Sequence, residues 1–187
     1  TKYAVISDSD IAFLHKNWDI DFINMINEKN ILVGGESNHT TYFFPHIYMA
    51  FFNAEKFKKI NVTFAPIKNC PEFVDKYKIK INDDNKNYDV EIPDELVKYY
   101  NIKNFYADTS SMLPYILRKN GYDGISLKCI WSNGQRKKTL ENHKNIFLNK
   151  DDQGQEFIIN DICYFTHQGP STREWNKDPK NIRWVEQ

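Results

Sequence analysis

Three observations predict an α/β fold for this chain of 187 residues. Apolar runs of strand length alternate with stretches of helical apolar spacing. Aromatic residues reach 15% of the composition, which suits a packed interior rather than a disordered chain. The length is enough for one well-buried domain and short for two. Residues 1–187 are therefore read as a single domain.

The elements follow in order. Residues 3–6, Tyr-Ala-Val-Ile, read as a buried strand, and Asp8-Ser9-Asp10 follows directly. A helix is expected over residues 17–30. Its apolar stripe is Trp18, Phe22, Ile23, Met25 and Ile26, and Asp19 and Asp21 lie where the helix dipole favours acids. Residues 31–36 form a short buried strand that runs into a flexible glycine pair, Gly34-Gly35. An aromatic strand, or a pair of strands interrupted by Pro45, spans residues 42–53. A short helix over 54–59 and a strand over 62–66 come next. Residues 67–87 are polar and read as an excursion, with a turn cluster at 82–87. A second helix covers 112–121: Met112, Leu113, Ile116 and Leu117 have helical spacing, Pro114 sits in the first turn, and Gly121 closes it. Strand character returns at 122–130, residues 132–145 read as an exposed loop, and residues 155–169 end the ordered core.

Asp8 and Asp10 carry the chemistry. Two carboxylates one residue apart, at the mouth of an apolar strand, repel each other, and burial raises that cost. A divalent cation with hard oxygen preferences removes the penalty and can bridge to phosphate oxygens. The sequence thus points to a metal–diphosphate site. A solvated turn in which one Asp caps the next helix is the alternative.

Composition excludes several classes. The chain carries 25 basic and 25 acidic residues, so no global field favours nucleic acid. No apolar run approaches the ~20 residues of a bilayer span, and no signal-peptide pattern is read at the start. Cys70, Cys129 and Cys163 lack any C-x-x-C spacing and read as reduced thiols. A cytoplasmic location is the expectation. The sequons at Asn38 and Asn61 are then incidental.

The motifs together resemble the metal-binding half of a GT-A-fold glycosyltransferase of the family 2-like type. The residues that carry the resemblance are Asp8-Ser9-Asp10 after its strand, Asn17-Trp18-Asp19, and Asp108-Thr109-Ser110 ahead of a helix. Thr166-His167-Gln168-Gly169 and Ser171-Thr172-Arg173 complete it near the end. The fold implied is a mixed sheet flanked by helices, the nucleotide-diphospho-sugar transferase arrangement. A nucleotide-binding βαβ region normally precedes the D-x-D of that family. The chain is accordingly expected to be a partial domain, its metal-binding and acceptor half, and weak or inactive as a transferase by itself.

The resemblance also implies roles. The donor would be a nucleotide-diphosphate sugar and the acceptor a glycan or other hydroxyl. Asp10 would be the firmer metal ligand, and Asp8 a ligand that also touches the donor ribose or a bridging water. His167 would be a third ligand, and neutral imidazole favours Mn²⁺ over Mg²⁺. Asp108 would be the general base that deprotonates the acceptor, and N-capping its ordinary structural role. Arg173 would face donor phosphate with its planar fork. Glu36 and His39 are candidates for an acceptor cleft. The basic run at residues 135–138 could meet phosphate or an anionic membrane surface peripherally, or simply be a solvated loop. Two alternative functions stand beside this one. A haloacid-dehalogenase-like phosphatase would use Asp8 as nucleophile. A non-catalytic glycan-binding module would use the aromatics of residues 42–52 as a platform.

Overall fold

The structure, a computed structural model, describes residues 1–8, 11–36, 44–84, 87–107, 109–131 and 154–168; at 83–84, 87–89, 131 and 168 it describes the backbone alone. The fold is α/β with a mixed sheet and a few helices. The chain packs as two compact units, the first from residues 1–7 and 19–127, the second from 8–18 and 128–187.

In the first unit, β1 (Tyr3–Ser7) pairs antiparallel with β4 (Pro45–Asn53), and β4 pairs antiparallel with β3 (Asn30–Glu36). Parallel to β3 lies the first part of β8 (Asp123–Trp131), with Val33 opposite Ile125. A second, antiparallel sheet joins β5 (Lys80–Asp84), β6 (Asn87–Glu91) and β7 (Asn104–Tyr106). The core gathers Ile31, Leu32, Phe52, Leu96, Leu113 and Leu117, all buried.

Pro45 does not break the aromatic strand; it opens β4, where a missing N–H costs least. Phe44, Tyr48, Phe51 and Phe52 are all buried, so these rings pack the core instead of forming an exposed platform. The glycine pair is likewise no flexible turn. Gly34 sits inside β3, and a Cβ there would lie 2.5 Å from the Met49 carbonyl oxygen. Glycine is required by close approach of two backbones. Gly34→Ala should therefore destabilise by about 1–3 kcal/mol, the usual range for overpacking, as read from a urea or thermal transition. An unchanged midpoint would show that β4 can move away.

Helix α1 (Trp18–Met25) is shorter than residues 17–30 suggested. The Asn27 side chain accepts from the backbone N–H groups of Lys29 (2.9 Å) and Asn30 (2.8 Å). That turn draws the chain away from the helix and into β3. Helix α2 (Ala54–Lys59) matches its expected bounds because Asn53 caps it, accepting from Lys56 N at 3.0 Å. No strand forms over 62–66. Val62 N donates to Phe57 O, and Phe64 O accepts from Ser110 N at 2.7 Å, with no ladder formed. Residues 67–87 hold more structure than their polarity suggested: a 3-10 turn at Ile67–Asn69, α3 (Pro71–Tyr77) and β5. The expected turn cluster narrows, since Asp84 already pairs with Asn87. Helices α4 (Asp94–Tyr100) and α5 (Leu113–Lys119) complete this unit, with Gly121 at φ +80° after α5.

The second unit is an antiparallel set in which residues 128–131 of β8 pair with β9 (Gly154–Ile159). Strand β9 pairs with β10 (Ile162–Gln168), and β10 with β2 (Ile11–Phe13). Asn160 and Asp161, at φ 49° and 61°, make the two-residue turn between β9 and β10. Phe157 and Phe165 stack at 4.4 Å, and Phe13 stacks on Trp18 at 3.9 Å. Opposite them in the pleat, Ile130, Ile158 and Cys163 pack together with Leu14.

Candidate metal centre

Asp8 and His167, far apart in the chain, meet in the second unit. Strand β10 lies between β2 and β9, and the register places His167 opposite Ile11 on one side and Gln155 on the other. The chain reaches β2 directly from the acidic motif, so His167 pairs with the residue that follows Asp10. The Nε2 atom of His167 is 3.8 Å from Asp8 Oδ2, and His167 Nδ1 is 2.8 Å from Gln155 Oε1. The imidazole is mostly buried, at 17% exposure, while the Asp8 carboxylate is 56% exposed. One face of this pair is thus fixed in the sheet and the other opens to solvent.

The 3.8 Å separation is too long for a hydrogen bond. It is compatible with a shared cation. Ligand atoms about 2.1 Å from one ion lie roughly 3.0 Å apart at an octahedral angle, so closure by less than about 1 Å through side-chain rotation would suffice. An imidazole nitrogen with a carboxylate oxygen is a donor set suited to Mn²⁺. Among the described residues, no group of three or more His, Cys, Asp and Glu side chains is clustered to hold a metal. Asp10, the other expected ligand, lies outside the described residues, as do Asp108, Arg173, His39 and the basic run at 135–138.

Glu36 closes β3 in the first unit, where its backbone carbonyl accepts from the Tyr48 hydroxyl. The N-cap position of α5 is Met112, with no side-chain cap, so the expected capping position falls four residues after Asp108. The three cysteines are free thiols. Cys70 is partly buried, and burial raises its pKa. Cys163 is fully buried against Glu156; burial and the neighbouring carboxylate push its thiol well above the ordinary range. That environment makes Cys163 an inert packing residue.

Gln155 and the buried Glu156 were not singled out by sequence reasoning. Their positions follow from strand register, which leaves no local signature. The first unit also carries an open depression of about 380 Å³ lined by Lys29, Lys98, Tyr99, Arg118, Tyr122 and Asp123. Its Arg118 is committed to Asp123 and to the Tyr99 carbonyl. Lys98 and Arg118 lie in the last turns of α4 and α5, where cations offset helix-end carbonyls. None of the sequence candidates lines it.

No family model, curated protein or solved structure matches the chain. No helix among the described residues is long and apolar enough to cross a membrane.

Proposed function

We propose that the chain is a GT-A-like glycosyltransferase, moving a sugar from a nucleotide-diphosphate donor to an acceptor hydroxyl. One observation carries the reading: Asp8 and His167, named from separate sequence motifs at opposite ends of the chain, face each other at 3.8 Å.

Asp8 and His167, with Asp10, would hold Mn²⁺ (or Mg²⁺). When bound, the ion supplies neutralisation of the charge that develops on the diphosphate leaving group. The chain's own groups do the rest. The sheet fixes the imidazole, and the exposed Asp8 carboxylate remains accessible to donor hydroxyls or water. Asp108 is the proposed base that takes the acceptor proton. Arg173 is proposed to meet donor phosphate with its planar fork.

The test is comparative. With Mn²⁺, the protein should slowly hydrolyse or transfer from a sugar nucleotide, and should not release phosphate from an aryl phosphate. Robust aryl-phosphate turnover, lost on Asp8→Asn, would replace this reading with the phosphatase. Binding of a glycan with no turnover of either donor would favour the module.

A further inference from the structure

We infer that the open depression of the first unit binds a small organic phosphate that carries a flat ring, such as a nucleoside monophosphate. The depression lies wholly within that unit and uses neither Asp8 nor His167, so it stands apart from the metal-centre reading. Its residues converge from separate elements. Lys29 comes from the turn into β3, Lys98 and Tyr99 from α4, and Arg118, Tyr122 and Asp123 from the end of α5 through the start of β8. The backbone ties these pieces together: Asp123 N donates to the Lys29 carbonyl at 2.8 Å, and the Arg118 guanidinium donates to the Tyr99 carbonyl. Its volume of about 380 Å³ falls within the roughly 300–1,000 Å³ of small-molecule pockets.

Charge sets the sign of the ligand. Asp123 is already offset by Arg118 Nε at 3.1 Å, and Gly124 N donates to the same carboxylate oxygen at 2.9 Å. The positive charge left over belongs to Lys29 and Lys98. Both are exposed, and among the described residues neither ammonium makes a hydrogen bond or an ion pair; Lys98 Nζ lies 5.0 Å from the centre of the Tyr99 ring. Helix-end carbonyls account for Lys98 and Arg118, but Lys29 stands outside any helix and is not explained that way. Two lysines complement a phosphate monoester, which carries about −1.5 to −2 at pH 7, better than a singly charged carboxylate. The half-buried rings of Tyr99 and Tyr122 supply surface on which a flat ring stacks. Both rings are held by neighbours. Tyr99 meets Tyr115 edge-on at 5.2 Å, and the Tyr115 hydroxyl bonds Lys119 at 2.9 Å and Tyr77 at 3.0 Å. Lys56, paired with Glu28, lies 5.4 Å from the centre of the Tyr122 ring. Rings already in place lose less freedom when a ligand arrives.

The test is a calorimetric titration of the protein with adenosine monophosphate in EDTA, which keeps divalent metal out of the measurement. The nucleotide should bind, and adenosine and inorganic phosphate should each bind about tenfold more weakly or worse, since each lacks half of what the site recognises. Lys29→Glu and Lys98→Glu, exposed changes that should leave the melting temperature in place, should each weaken nucleotide binding by about tenfold or more. Lys58→Ala, on α2 and outside the depression, should leave affinity unchanged, as should Asp8→Asn. No binding by the wild type at millimolar nucleotide would overturn the inference, and so would equal affinity in the wild type and both glutamate variants. Adenosine binding as tightly as the nucleotide would remove the phosphate from the ligand; inorganic phosphate binding as tightly would remove the ring. Loss of binding in Asp8→Asn would move the nucleotide out of the depression and overturn the assignment. Because metal is withheld, absence of binding here leaves the metal-centre reading untouched, and the two fail separately.

Discussion

Asp108→Asn should lower transferase turnover by about 10²–10⁴-fold, the loss expected when a general base can no longer accept a proton. Asn is nearly the size of Asp and keeps an oxygen acceptor, so folding should hold. Donor affinity should barely change, because the base acts on the acceptor. The competing structural role makes the opposite forecast. If Asp108 served only to start a helix, Asn would serve as well and turnover would stay normal. The N-cap position of α5 is already occupied by Met112, without a side-chain cap. A near-normal rate in the variant would leave the proton acceptor unassigned.

The second large effect concerns the metal. Mn²⁺ should raise the melting temperature, since an ion that binds only the folded state stabilises it by mass action, about 2.7 kcal/mol at a hundredfold excess over Kd. Asp10→Ala should abolish the increase, whatever it does to the metal-free protein. Removing one of two mutually repelling carboxylates can stabilise the apo state while destroying affinity. His167→Ala should weaken apparent affinity without eliminating it. An equal shift in wild type and Asp10→Ala would withdraw the metal assignment from the motif.

Much of the fold was legible where local chemistry decides structure. Helix α5 has Pro114 at its start and Gly121 past its end, and those two residues placed it from sequence; α2 falls on its expected residues 54–59, and the structure adds the Asn53 cap that starts it. Errors arose where a side chain or a partner overrides pattern. Asn27 ends α1 by bonding the backbone ahead of it, against apolar periodicity that continues to Ile26. Residues 62–66 have strand composition, yet only a neighbouring strand would make them one. Strands β5 and β6 are too polar to show a buried face, and turn residues such as Asn82 and Asp84 fall inside their ladder. The Asn160-Asp161 pair was a readable hairpin signal that the apolar stretch around it concealed. The candidate site divides the same way. Asp8 and His167 stood out because their residue types carry chemistry. Gln155 acquires meaning only from its place opposite His167.

The most direct test of the account is a crystal of the protein soaked with Mn²⁺ and a nucleoside diphosphate, measured at the manganese absorption edge. The account predicts one anomalous peak bound by the carboxylates of Asp8 and Asp10 and by His167 Nε2, with diphosphate oxygens completing the coordination. An anomalous map without a peak there, and water filling the space between Asp8 and His167, would contradict it.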